Sequence, residues 1–106
     1  MTVKALTTAT ALAALATASA ADVKVGMITT LSGGGAGLGI DVRDGFMLAI
    51  EQAGRDDIEV VIEDDQRKPD IAVQLADKLV QSDDVDVLTG IIWSNLAMAV
   101  IPSVTA

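Results

Sequence analysis

The sequence predicts an α/β fold, a doubly wound parallel sheet, on three observations. Apolar runs short enough to be buried strands alternate with segments of helical periodicity. A glycine cluster, Gly33-Gly34-Gly35 with Gly37 and Gly39, follows the first of these runs and leads into the first helical segment. No internal repeat, low-complexity stretch or interdomain linker interrupts the alternation after residue 20.

Residues 1–20 read as an export leader. Lys4 supplies a positive start, Ala5 to Ala16 a short and weakly apolar stretch, and Ala18-Ser19-Ala20 the small side chains that a signal peptidase accepts, so the mature chain is expected to begin at Ala21. A membrane-spanning helix needs about 20 predominantly apolar residues, and Thr7, Thr8, Thr10 and Thr17 dilute this run. The chain has no cysteine, which removes a lipid-modified cleavage site, disulfides, zinc-thiolate sites and thiol catalysis.

Val23 to Ile28 is the first strand, and the glycines after it let backbone or ligand approach closely. Val42, Phe46, Ala49, Ile50 and Ala53 then line one face of a helix that stops at Gly54, with Asp41 and Asp44 near its positive end. Ile58 to Ile62 is the second strand. Pro69 and Asp70 start the second helix, Asp70 as its N-cap, and Ala72, Leu75, Ala76 and Leu79 form its buried stripe. Val85 to Ile91 is the third strand, which Gly90 brings to an end. From Ser94 onward Leu96, Val100 and Val104 recur as in a helix, interrupted or kinked at Pro102.

Charge and residue types exclude several functions. Beyond the leader, six basic residues face fifteen acidic ones, a balance that repels nucleic acid and anionic membranes. The acidic pairs Asp56-Asp57, Glu63-Asp64-Asp65 and Asp83-Asp84 read as solvated loop residues. No frame of Gly33 to Gly39 fits the dinucleotide fingerprint, and Ile40 and Asp41 stand where a P-loop needs lysine and a hydroxyl residue. Asp64 and Asp65 lie at the ligand side of an open sheet, but Trp93, Ser94 and Asn95 follow strand three where a phosphoacceptor pocket would need further aspartate and lysine. With no histidine, no cysteine and no Gly-x-Ser-x-Gly elbow, no catalytic set is apparent, and no metal or cofactor is expected.

What remains is the exit of strand three, Gly90-Ile91-Ile92-Trp93-Ser94-Asn95, where a hydroxyl, an amide and an indole meet a helix N-terminus. Free N–H groups there, with the Ser94 hydroxyl, suit an anionic ligand group. On spacing alone, Ser94 or Asn95 serves equally well as an N-cap, and Trp93 as core packing.

Several short elements, Val25-Gly26, Leu31-Ser32-Gly33, Leu38-Gly39, Asp44-Gly45 with Leu48-Ala49, Glu63-Asp64-Asp65-Gln66, and Gly90 with the Ser94 turn, occur in an order and spacing that resembles the first lobe of type I periplasmic solute-binding proteins. The similarity is to the branched-chain amino acid (leucine, isoleucine, valine) binding subfamily of ABC importers and covers residues 21–106 as a partial N-terminal lobe. The resemblance implies a non-enzymatic periplasmic protein that captures an amino acid or related small carboxylate and delivers it to membrane permease subunits. It also implies that Ser94 receives the ligand carboxylate, with Ile92, Trp93 and Asn95 bordering the ligand. Leu38 falls where the family often places an aromatic side chain over the ligand, and Gly34 where it commonly has proline. The bulk of Trp93 makes an aromatic carboxylate as apt a ligand as leucine or valine.

The family's fold has two lobes, and this chain stops after the third βα unit, so it is expected to be truncated at Ala106. Strand three should then form a sheet edge, and the 21–106 fragment alone is expected to be unstable or to aggregate. Alternative readings of the same residues are the ligand-binding domain of a sensory receptor and a small extracytoplasmic flavodoxin-like enzyme.

Overall fold

The computed structural model describes residues 21–105; the leader expected at 1–20, like Ala106, lies outside them. The elements run β1 (Val23–Thr29), α1 (Ala36–Gln52), β2 (Ile58–Asp64), α2 (Pro69–Gln81), β3 (Val87–Thr89) and α3 (Ser94–Thr105). The strands form one parallel sheet in the order β2-β1-β3. Right-handed crossovers in this order place α1 on one face of the sheet and α2 on the other. The doubly wound α/β expectation therefore holds.

β1 is central and carries the alternation of the core. Val25, Met27 and Ile28 are buried, and successive side chains point to opposite faces. Ile28 joins Ala72, Ala76 and Leu79 of α2 and Leu96 and Val100 of α3 in one cluster, with Val61 and Leu88 packed against it. Full burial of an aliphatic side chain such as Leu79 contributes about 1.5–3 kcal/mol, so α2 is held by its small-and-large stripe of Ala72, Ala76 and Leu79.

α1 is docked differently. Val42, Phe46 and Ile50 are only half-buried, while Ala49 and Ala53, expected on the inner face, are exposed. Gly39 is its one buried residue, and contact with β1 depends on that glycine. α1 also starts earlier than its periodicity indicates, at Ala36, so Asp41 and Asp44 lie beyond the first turn and no acidic side chain faces its N-terminus. The stop is as expected: Gly54 has φ 63° and its N–H donates to the Glu51 carbonyl.

Three further boundaries differ from expectation. β2 extends to Asp64 because its register with β1 continues through Thr29↔Asp64. β3 keeps only Val87–Thr89 of the seven residues from Val85 to Ile91, since it pairs on one side only, with β1. Lys68, not Asp70, is the N-cap of α2; its extended backbone precedes Pro69, as the steric demand of proline requires, and Asp70 falls inside the first turn. α3 runs through Pro102 without interruption. The Ser103 hydroxyl donates to the Val100 carbonyl and the Thr105 hydroxyl to the Ile101 carbonyl, both at 2.7 Å.

Candidate functional site

The carboxyl ends of all three strands open onto one side of the sheet, where open α/β sheets take ligands. Three loops meet there: Thr30–Gly35 after β1, Asp65–Lys68 after β2, and Gly90–Trp93 after β3.

The first two loops are tied together by Asp64 and Asp65, which are structural and not the solvated pair their sequence suggests. Asp64 accepts from the Leu31 N–H (2.9 Å), the Ser32 hydroxyl (2.5 Å) and the Gln66 N–H (2.9 Å). Asp65 is fully buried and accepts from the Thr30 hydroxyl at 2.6 Å and the Arg67 N–H at 2.8 Å. These two-residue side-chain turns hold Gln66 and Arg67 at φ 52° and 57°, a left-handed conformation that non-glycine residues rarely adopt.

Partial burial works against the charged form of Asp64, but the Ser32 hydroxyl and the Leu31 and Gln66 N–H groups outweigh it, so its carboxyl stays below the ordinary aspartate value. A depressed folded pKa stabilises the fold above about pH 4, the unfolded value, and that contribution is lost as pH falls through the folded value. Urea unfolding of the full-length protein between pH 6 and pH 3 should show this loss below pH 4. In Asp64→Asn the fall should be smaller, because the group whose pKa is depressed by these donors is gone. An unchanged pH profile in Asp64→Asn would contradict the assignment.

Trp93 joins the third loop to the other two. Its Nε1–H donates to Thr30 Oγ1 at 2.8 Å, and Thr30 in turn donates to Asp65, a chain of Trp93, Thr30 and Asp65. The indole edge lies against Gly35, where a Cβ would overlap Cζ2; Gly35 has φ 87° and caps α1. Across the ring, the Arg67 guanidinium lies 3.7 Å from the centroid. The glycine loop thus admits the indole itself, a close approach that the glycine spacing shows only as room for backbone or ligand.

Of the five candidate residues, Trp93 is half-buried and packs against the core cluster, so it combines the interior role with a place at the loop junction. Ile92 is half-buried in the turn beside it, and Ser94 and Asn95 are exposed on the first turn of α3. Neither Ser94 nor Asn95 is the cap, because the Trp93 carbonyl accepts from Leu96 and Ala97, both at 3.1 Å, and so precedes the helix. Among the described residues no partner holds the Ser94 hydroxyl. Leu38 stands apart from the turn that the other four share: it belongs to α1, its N–H donates to the Gly35 carbonyl at 3.0 Å, and its side chain is 56% exposed. Sequence reasoning missed Thr30 and Arg67; the aspartate pair at the β2 exit was the available signal, since a buried carboxylate requires donors.

Away from this junction, an apolar hollow of about 280 Å³ lies between β3 and α3, lined by Leu88, Gly90, Ile91, Val100, Ile101 and Val104 among others. It has few polar groups to orient a ligand. Among the described residues no cluster could hold a metal ion, and no helix is long and apolar enough to cross a membrane.

Residues 22–106 match the periplasmic binding protein family. Among solved structures, an ABC transporter solute-binding protein of Rhodopseudomonas palustris in complex with benzoate is 36% identical, with a TM-score of 0.71 over 76% of this chain and 23% of that one. A second from the same species, in complex with 3,4-dihydroxybenzoic acid, is 33% identical with a TM-score of 0.73, over 76% of this chain and 23% of that one. A protein from Rhodopirellula baltica, described as a possible leucine/isoleucine/valine-binding protein, is 27% identical with a TM-score of 0.71, over 78% and 24%. The chain thus spans under a quarter of the length of these structures. Comparison with curated proteins gave no match.

Proposed function

Because this chain belongs to the periplasmic binding protein family, we propose that it contributes one lobe of the solute-binding component of an ABC importer, which captures a small carboxylate and passes it unaltered to membrane permease subunits. The single observation that carries the reading is the junction at the carboxyl ends of the three strands: the free first turn of α3, with Ser94 and Asn95 exposed, lies directly after an indole fixed by Thr30. Unpaired N–H groups at a helix start favour a carboxylate, each such contact contributing about 0.3–1 kcal/mol. Ser94 supplies a hydroxyl to the same group, while Ile92, Trp93 and Asn95 border the ligand and Leu38 covers it from α1.

Two carboxylate classes fit, amino acids and benzoates. The benzoate and dihydroxybenzoate held by two of the solved relatives, together with the apolar bulk of Trp93, favour the aromatic class. Export to the periplasm through residues 1–20 belongs to the same reading. Full-length protein recovered from the periplasm, expected to begin at Ala21, should bind benzoate-type acids calorimetrically and bind leucine more weakly. Tight leucine binding with no response to aromatic acids would overturn the aromatic preference, and binding of neither would overturn the carboxylate reading itself.

A further inference from the structure

Among the described residues, Arg67 is the one cation brought to this junction by a specific side-chain contact. Its backbone is fixed by the bond from its N–H to Asp65 Oδ1, and its guanidinium lies 3.7 Å from the Trp93 ring centroid. A Cβ on Gly34 would be 3.7 Å from its Nη1, so the side chain reaches from the β2 exit to the glycine loop across the residue that precedes Ser94. Arg67 therefore touches or borders all three loops.

That placement leaves the charge uncompensated at short range. Every ion pair found among the described residues involves Arg43, Arg55 or Lys78, and none involves Arg67. The neighbouring carboxylates are engaged elsewhere: Asp64 with Leu31, Ser32 and Gln66, and Asp65 with Thr30 and the Arg67 N–H. In an acidic protein with fifteen carboxylate side chains and seven basic ones, a cation that pairs with none of them and lies over an indole keeps N–H donors available for a further acceptor. Stacking uses the guanidinium face and leaves the edge, which is the part that binds a carboxylate.

We propose that Arg67 is a specificity-determining residue of this site: stacked on Trp93, its guanidinium supplies the positive charge that selects an anionic ligand group over a neutral isostere. This rests on the carboxylate reading above and adds to it a residue on a second loop. The helix start at Ser94 positions the ligand's acid group, and Arg67 makes its charge count. Lysine would not substitute fully, since a point charge on a flexible stem neither stacks nor offers two parallel donors.

The test uses full-length wild-type protein and its Arg67→Gln, Arg67→Ala and Arg67→Lys variants, titrated calorimetrically with benzoate against benzamide and with leucine against leucinamide. Wild type should prefer the acid of at least one pair. In Arg67→Gln and Arg67→Ala that preference should fall by about tenfold to hundredfold, the range for a hydrogen bond to a charged group, while amide affinity stays unchanged. Arg67→Lys should retain part of it. An acid preference that survives in both neutral variants would overturn the proposal and leave the carboxylate reading standing; wild type that binds neither acid would overturn both. Equal loss for acid and amide would show that Arg67 only supports Trp93, which also overturns it.

Discussion

Replacing Gly39 by alanine is expected to unseat α1 from the sheet. A Cβ there would overlap the Thr30 carbonyl oxygen and lie 2.5 Å from its carbon and 2.9 Å from its nitrogen. At Gly35 the corresponding neighbour is a side chain, Trp93, which can rotate; at Gly39 it is backbone on both sides, inside a helix and at the end of a central strand. Relief therefore requires moving α1 bodily. Overpacking costs about 1–3 kcal/mol where side chains can adjust, and more where they cannot. Alanine's better helix propensity returns about 1 kcal/mol, so the net loss should reach about 3 kcal/mol in denaturant unfolding of the full-length protein. Gly45→Ala is the internal control. It lies in the same helix with nothing within 4 Å of the methyl group it would gain, and should stabilise by up to about 1 kcal/mol. If Gly39→Ala proved as benign as Gly45→Ala, the close docking of α1 through Gly39 would be wrong.

The consequence extends to the site, because the atoms that Gly39 presses against belong to Thr30. α1 offers the sheet few other contacts: its apolar residues Leu38, Met47 and Leu48 are exposed, and Val42, Phe46 and Ile50 only half-buried. Displacing the helix would shift Thr30, and with it the acceptor that fixes the indole.

The parts of this architecture that periodicity encodes were legible. The run Val23 to Ile28 could only be a buried strand, and the Ala72, Ala76, Leu79 stripe could only face inward, because each is a repeating one-dimensional pattern with one burial solution. Boundaries were less so. β3 shortens because pairing, not apolarity, sets its length, and α1 begins inside the glycine loop because Gly35 can take a left-handed backbone and start the helix there. Asp64 and Asp65 misled for a different reason. An acidic pair is usually solvated, and nothing local to it shows that Leu31 and Ser32, more than thirty residues earlier in sequence, will supply the donors. Such contacts arise only when parallel strands bring two loops to the same edge. Trp93 was likewise ambiguous between packing and ligand contact; the fold shows it half-buried against the core and held by groups from the two neighbouring loops.

Thr30→Val should cost about 2–4 kcal/mol and disorder the indole, the second large effect. The substitution keeps shape and burial but removes one hydroxyl that accepts from Trp93 Nε1 at 2.8 Å and donates to Asp65 Oδ1 at 2.6 Å. Two losses follow. Asp65 is fully buried, and its Oδ2 already lacks a partner among the described residues, so without Thr30 only the Arg67 N–H remains to offset its desolvation. A hydrogen bond to a charged group contributes about 1.5–3 kcal/mol, and the stranded indole N–H adds about 1 kcal/mol more. Thr30→Ser retains the hydroxyl and should lie within about 1 kcal/mol of wild type. The measurements are urea unfolding and the tryptophan emission of the full-length protein, with benzoate affinity as the functional readout. A valine variant as stable as the serine one, with the same affinity, would mean that the chain from Trp93 through Thr30 to Asp65 does not hold the site together. If the losses appear as expected, ligand affinity should fall with them even though Thr30 is fully buried, because its hydroxyl helps set the position of the indole and of the guanidinium that lies over it.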